Sequence, residues 1–316
     1  MKFSAKVSVV MCTYNGARFI EEQIASIAQQ TYPIYELIIQ DDCSTDDTDI
    51  IVECCKKRYP NCPISFLRNE KQLGYTRNFL TAYLKAGGDY IASCDQDDIW
   101  SPRKIEILMQ NIGEKWMMFH RSIIFDETQP RKGFRPISMP NLSPLYILLR
   151  PQIAGHQQLF SRQLIPYIQD ILKTQSVTYD YLTCTLAACM KGVGYVEEDL
   201  VRWRRYEGAT TYVMQGENGK IAGYLQAIQA LFDSTRRKET YVYFSLYLSF
   251  PFEKESSWVV SQMSKGSIGS ILRVCFRCFA LRKMLYPEVS GIAQMARAFF
   301  MPLFFIRDYG RFILKK

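Results

Sequence analysis

The chain has 316 residues, 48% of them hydrophobic, with 39 Lys and Arg against 31 Asp and Glu and a formal net charge of +8. That length holds a full core in one large domain, or in a domain with an appendage, and no run reaches the roughly 20 apolar residues of a membrane-spanning helix. The charge is uneven, with 21 basic and 23 acidic side chains in residues 1–200 but 18 and 8 in residues 201–316, so the basic excess sits in an apolar tail and points to a lipid surface rather than to nucleic acid.

The start, Met1-Lys2-Phe3-Ser4-Ala5-Lys6, is not expected to be a signal peptide, because the apolar run Val7 to Met11 is too short. That run is β-branched and is expected to be a buried first strand. It ends in the polar turn Cys12-Thr13-Tyr14-Asn15-Gly16. A helix is expected from about Ala17 to Gln30, its apolar face carrying Phe19, Ile20, Ile24, Ile27 and Ala28, and Pro33 stops it. Glu36 to Gln40 is the second strand and Asp41-Asp42-Cys43 its turn. Ser44-Thr45-Asp46-Asp47 then caps a helix running to about Arg58. Ile64 to Leu67 is the third strand. Leu73-Gly74-Tyr75 is a turn, and a helix follows from Thr76 to Ala86, with Arg77 and Asn78 near its start and Gly87-Gly88 at its end. Tyr90 to Ser93 is the fourth strand. Ser101-Pro102 opens a helix to about Ile112.

Four strand–helix alternations in 112 residues predict βαβ units and a mainly parallel sheet flanked by helices, an α/β fold. Ligands of such sheets bind beyond the carboxyl ends of the strands. Three of the four ends carry polar or charged turns, and the fourth strand ends in Asp95-Gln96-Asp97-Asp98. Carboxylates crowded at a strand end repel one another, and a hard divalent cation such as Mg or Mn relieves that repulsion. No Gly-x-Gly-x-x-Gly or Gly-Lys-Ser/Thr loop follows the first strand, so a diphosphate would be held through a metal instead.

Val7 to Gly16, Glu36 to Thr48, Leu73 to Asn78 and Asp95 to Trp100 (DQDDIW), in this order and spacing, resemble the family 2 glycosyltransferases. The resemblance covers roughly residues 6–210 and implies a GT-A fold that binds a nucleotide-diphosphosugar. The form DQDDIW is similar to a rhamnosyltransferase-like subset. Residue by residue, the resemblance implies that Thr13, Tyr14 and Asn15 line the nucleotide site, with Tyr14 stacking on a pyrimidine. It implies that Asp42 accepts the base N–H and that Arg77 helps to hold the nucleotide. Asp95 would meet the ribose side, and Asp97 would be the ligand of a Mn or Mg cation. Asp98 would support the loop or orient the acceptor, and Trp100 would pack beneath it.

Trp116 to His120 reads as another buried strand, and residues 125–144 as a loop beside the acceptor. Ala154 to Phe160 is a strand or turn. Its His156 stands just before the family's catalytic helix and is a candidate for substrate or phosphate contact, His120 less so. A helix is expected from Leu182 to Lys191. The family places its base at the position of Asp180, where a carboxylate would deprotonate the attacking hydroxyl while a cation neutralises the leaving diphosphate, giving inversion. Leu200 to Thr210 resembles the segment that closes over the diphosphate, with Arg202 and Arg205 as candidate positive charges. Many relatives have histidine where Tyr206 stands.

Beyond about residue 212 the resemblance fades. The expected division is a GT-A domain over 1–212, with halves 1–112 and 113–212, and a helical basic region over 213–316. Ala298 to Ile306, flanked by Arg297 and Arg307, reads as an interfacial attachment. Peripheral membrane contact through residues 270–316 is expected, and the region offers a surface for a partner subunit. The ten cysteines lack the spacing of a disulfide framework, and Cys275-x-x-Cys278 has no second pair or nearby histidine for zinc, so a reducing cytoplasmic compartment is expected. The expected function is an inverting, metal-dependent glycosyltransferase at the inner membrane face. It would move a sugar from a UDP- or dTDP-sugar to a glycan or lipid-linked glycan, without nucleic acid. The alternatives are a sugar-nucleotidyltransferase and a non-catalytic nucleotide-sugar-binding protein.

Overall fold

The computed structural model describes residues 5–125, 140–174, 177–206 and 220–309. They fall into two compact units that interleave along the chain. The first takes Met1–Pro140, Ile153–Lys173 and Val193–Val213, and the second Asn141–Gln152, Thr174–Gly192 and Met214–Lys316. Two segments expected in the N-terminal domain, 141–152 and 174–192, therefore cluster with the C-terminal helices.

The first unit is built on one sheet. Its strands are β1 (Val7–Thr13), β2 (Glu36–Asp41), β3 (Ile64–Arg68), β4 (Tyr90–Asp95), β5 (Ile99–Trp100), β6 (Met117–Phe125), β7 (Leu159–Ser161) and β8 (Val193–Arg204). They lie in the order β3-β2-β1-β4-β7-β6-β8-β5. The β3-β2-β1-β4 half is parallel, as the βα alternation dictates. The other half is mixed, since β7 runs antiparallel to β4 and β6, and β5 antiparallel to β8. β1 is buried along all seven residues, the continuous apolar run of a strand covered on both faces. Val7, Val9 and Met11 join Ile20, Ile24, Ile27, Leu37 and Ile39 in one core.

The helices Ile20–Ala28, Thr48–Arg58, Tyr75–Tyr83 and Lys104–Asn111 alternate with these strands. The first starts later than expected because residues before it turn, Phe19 and Ile20 N–H both reaching Gly16 O. At the second, Asp46 takes the capping role: its carboxylate accepts from Thr48 N at 3.2 Å and from Ala17 N at 3.0 Å. Two elements are not assigned from the sequence: Ile99–Trp100 is a short strand, and Val193–Arg204 is β8.

The second unit is helical among the described residues: Pro144–Leu149, Tyr179–Met190, Lys220–Phe232, Ser234–Ser245, Lys254–Met263, Ile268–Ala280, Arg282–Leu285 and Gly291–Tyr309. Its caps are local. Asp233 accepts from Thr235 N (2.9 Å) and Arg236 N (3.2 Å), Glu253 from Glu255 N (2.8 Å) and Ser256 N (2.7 Å), and Ser267 from Ser270 N (3.2 Å). Each such cap stabilises its helix by about 1 kcal/mol. Tyr243, Phe244, Tyr247 and Phe305 meet in tilted and edge-on pairs 5.0–5.4 Å apart, geometry that suits the ring quadrupoles.

In the run Ala298 to Ile306, expected at a membrane interface, Ala298, Met301, Leu303, Phe305 and Ile306 are buried. These side chains are used as core of this unit. Among the described residues, no helix is long and apolar enough to cross a membrane. The expected acceptor loop is described only at its ends, and Gly208 to Thr210, Arg311, Lys315 and Lys316 lie outside the described residues.

Candidate functional site

The strand register brings the expected ends together. Thr13 at the end of β1 pairs with Asp41 at the end of β2, and Cys12 pairs with Asp95 at the end of β4. A residue without an expected role ties them. Gln96 Oε1 accepts from Thr13 Oγ1 (2.6 Å) and Tyr14 N (2.9 Å), and its Nε2 donates to Tyr14 O (3.2 Å). The approach is so close that a Cβ on Gly16 would lie 2.5 Å from Gln96 Oε1 and 2.6 Å from Thr13 Oγ1, which is why glycine stands there. Asn15, at φ 50°, connects the first two ends: its N–H donates to Ser44 Oγ (2.8 Å) and its Oδ1 accepts from Thr45 N (2.8 Å).

Asp42 is buried and organises the next loop. Its Oδ1 accepts from Asn69 Nδ2 (2.8 Å) and Leu73 N (2.7 Å), and its Oδ2 from Gly74 N (2.8 Å). A carboxylate has about four acceptor positions, and these bonds fill three of them. Gly74 sits at φ 78°, which seats the loop on the helix Tyr75–Tyr83. Arg77 is exposed in that helix's first turn. Tyr14 and Tyr75 are the exposed aromatics of these loops, at 45% and 44%. The expected stacking role was given to Tyr14 alone.

The Asp95-Gln96-Asp97-Asp98 turn divides its carboxylates. Asp95 is partly exposed, its Oδ2 3.8 Å from His156 Nδ1. Asp97 Oδ2 accepts from Tyr206 Oη at 2.9 Å. Asp98 is fully buried; Oδ1 accepts from Arg204 N (3.1 Å), and Oδ2 has no partner among the described residues. Trp100 packs below the turn, 2% exposed. Lys104 Nζ lies 3.4 Å from the centre of the Trp100 ring and donates to His156 O at 2.8 Å.

Of the three arginines of β8 and its end, the one that grips this turn is Arg204. Its Nε donates to Asp97 O (2.8 Å), its Nη2 pairs with Glu22 (2.5 Å), and its guanidinium stacks on Phe19 and Phe125. Arg202 is exposed against Phe125, and Arg205 lies over Trp203. Arg202 and Arg204, two residues apart, share one face of the strand, and both guanidiniums lie over Phe125.

Burial dominates the titration of the site. It raises Asp98 well above the usual carboxylate range, aided by the charges of Asp95 and Asp97. It raises Asp97 against the opposing Tyr206 bond. It lowers Lys104 to about 7 and, with the Lys104 charge, His156 to about 3. His156 is therefore a neutral imidazole at physiological pH. One donor atom each from Asp95, Asp98 and His156 lie within 4.8 Å of one another. Two carboxylate oxygens, one of them from Asp98 with its orphaned Oδ2, and an imidazole nitrogen fit a divalent cation. His120 is fully buried and places its Nδ1 2.6 Å from Arg121 O.

Asp180 belongs to the second unit. It sits in the first turn of Tyr179–Met190, whose N-cap is Thr178, and its Oδ1 accepts from Tyr181 N at 2.9 Å. Burial pushes its carboxyl up to about 7, the range in which a general base works at neutral pH.

Comparison with known proteins places these features in a family. The sequence model of "Glycosyl transferase family 2" matches residues 8–173, more than half of the chain. TuaG of Bacillus subtilis, whose name assigns it provisionally to teichuronic acid biosynthesis, is 34% identical over 113 residues, 36% of this chain and 44% of that protein. WfgD of Escherichia coli, named a UDP-Glc:alpha-D-GlcNAc-diphosphoundecaprenol beta-1,3-glucosyltransferase, is 37% identical over 101 residues, 32% of this chain and 38% of that protein. The chain thus spans less than half the length of these relatives. The structure of S. aureus TarS in complex with UDP-GlcNAc aligns with a TM-score of 0.54 at 17% identity, covering 97% of this chain and 92% of that one. The mannosyltransferase PcManGT of Pyrobaculum calidifontis, solved with GDP-Man and Mn2+, aligns at 0.51 with 14% identity, over 98% of this chain and 87% of that one. The chain therefore belongs to glycosyl transferase family 2 and has the GT-A fold.

Proposed function

We propose that the chain is an inverting, metal-dependent glycosyltransferase of cell-surface polysaccharide synthesis. It would take a sugar from a UDP- or dTDP-sugar and pass it to a hydroxyl of a glycan or lipid-linked glycan at the inner face of the membrane. The observation that carries this reading is the register that brings the polar end of β1 beside the carboxylate-bearing ends of β2 and β4, with Gln96 clasping the β1 and β4 ends. The acceptor class is supported by the lipid-linked substrate in the name of WfgD. The DQDDIW form makes a dTDP-deoxyhexose the first donor to test.

In this reading Tyr14 offers a stacking face and Asp42 an acceptor for the base N–H, while Arg77 contributes charge. Asp95 takes the ribose side, and Asp97 is the ligand of the cation. Asp180 removes the proton of the attacking hydroxyl as that oxygen bonds to the anomeric carbon, and the sugar–phosphate bond breaks on the opposite face. A divalent cation bound at the Asp95–Asp98 turn neutralises the leaving diphosphate. Arg202 and Arg205 are proposed as further positive charge there. Membrane contact through residues 270–316 would use the exposed Phe276, Met284, Ile292 and Met295 beside Arg273, Lys283 and Arg297.

The test is transfer and donor hydrolysis across a nucleotide-sugar panel with Mn or Mg. Full transfer by Asp97→Ala and Asp180→Ala would remove the site assignment. One observation favours a second reading, a binding protein without turnover: Tyr206 occupies an oxygen of Asp97. Donor binding with no transfer or hydrolysis under any condition of that panel would select it.

A further inference from the structure

We propose that two copies of the chain associate through the helix Lys220–Phe232, packed antiparallel across a two-fold axis, so that residue 225 of one copy meets residue 228 of the other. This interaction surface is independent of the donor-site reading above. The seam is a stripe of four side chains on one face of the helix: Ile221, Leu225, Ile228 and Phe232, exposed by 79%, 57%, 40% and 66%. Spacings of four, three and four residues set them in line along the helix, as in the seam of a coiled coil.

The helix does not need this stripe to hold its place in the helical unit. Ala227, Ala230 and Leu231, on another face, are buried. Tyr224 packs edge-on against Phe300 and Phe304, with centroids 4.9 and 5.1 Å apart, and Gly223 O accepts from Arg307 Nη1 at 2.9 Å. With apolar residues on two faces and no charge anywhere in residues 221–232, the helix has the composition of one that is buried all round. One apolar face is filled from within the unit, and the other is left in water.

Area, symmetry and charge fit a second copy as the occupant. At those exposures the four side chains leave on the order of 500 Å² of apolar surface in water, the size at which a patch on a monomer is often functional. Two such stripes together bury on the order of 1,000 Å², the floor for a specific interface. The stripe is also complementary to itself. The two-fold sets Phe232 against Ile221 and Leu225 against Ile228, and each pair forms twice, as an isologous contact requires. Charge decides against a lipid surface. An interfacial helix carries Lys and Arg along its polar face, as residues 270–316 do with Arg273, Lys283 and Arg297. Residues 221–232 carry none, and the exposed polar residues beside the stripe are Gln226 and Gln229. The net charge of +8 opposes self-association in general, but an uncharged seam brings no like charges together.

The experiment is sedimentation of the full chain over about 1–100 μM, where wild type is expected to dimerise. Leu225→Glu and Ile228→Lys should each weaken association by about tenfold or more, by placing a charge against an apolar side chain. Both positions are exposed, so the melting temperature should stay close to wild type. Mixing the two variants should restore association by about tenfold over either alone, because the introduced glutamate and lysine then face each other across the axis. A parallel pairing sets 225 against 225 and gains nothing from mixing. A wild-type monomer throughout the range, a dimer that neither variant weakens, or a mixture no tighter than its parts would overturn the inference. So would a monomer that binds phosphatidylglycerol vesicles and loses that binding in Leu225→Glu, which makes the stripe a lipid surface. Donor binding and transfer, read on the same samples, report on the proposed function separately from the dimer.

Discussion

In the sheet unit, polar side chains at the strand ends bond across loops: Gln96 reaches Tyr14, Asn15 reaches Ser44 and Thr45, Asp42 reaches Leu73 and Gly74. In the helical unit, Asp233, Glu253 and Ser267 bond N–H groups two or three residues away, and tightly packed aromatic rings fill the interior. The difference separates positioning from stability. A lost cross-loop bond moves one strand end relative to another and leaves the core intact. A lost core side chain in the helical unit removes buried area. Asp180 stands apart in the helical unit, as a carboxyl raised by burial among local caps.

The largest expected effect is at that residue. Asp180→Ala should lower transfer by about 10²–10⁴-fold while donor affinity, measured by calorimetry, changes little. With its carboxyl raised to about 7, the wild-type rate should climb with pH through that value, because the base must be ionised. Stability runs the other way. A carboxyl raised in the folded state favours the fold while protonated, and that contribution is lost as pH rises from the unfolded value through about 7. Asp180→Asn should therefore gain melting temperature over wild type between pH 5 and pH 8, and equal differences at both would contradict the burial.

Next in size is Met301→Ala. Met301 is fully buried, so the change should destabilise by about 2–5 kcal/mol in denaturant unfolding without altering donor affinity. A lipid-facing Met301 would show almost no loss. Smaller again, Gly16→Ala should push Gln96 from Thr13 and Tyr14 and weaken donor binding roughly tenfold, with the melting temperature nearly unchanged. Unaltered donor affinity would mean that the clasp does not position the site. Smallest, Tyr206→Phe removes one bond to Asp97 and should lower the Mn concentration for half-maximal transfer by a few-fold. An unchanged Mn midpoint would leave that bond without a role in cation use.

Local signals made the first half of the chain legible. Apolar runs such as Val7 to Met11, turn residues such as Asn15-Gly16 and the Asp46 bonds to nearby N–H groups act over a few positions, so β1 to β4 and their helices could be read in order. The sequence resemblance carried the family and the GT-A fold. The later strands were harder. β5 has two residues, and β8 pairs with β6 through an irregular register at His120, Arg121 and Ser122. Arg204, inside β8, is distinguished by no local pattern: Glu22, Phe19 and Phe125 mark it out.

By itself, then, the sequence determined the alternating βα order, the polar or charged turns at three strand ends and the kinship of residues 8–173, because each is written in neighbouring residues. Only the tertiary structure decided how those groups are used. It gave Gln96 to the clasp, Tyr206 to Asp97, and His156 to the face of Asp95 and Asp98, and it turned Met301 and Phe305 into core. Those partners are far apart in the chain, and a side chain's burial and its bonds depend on what the fold brings against it.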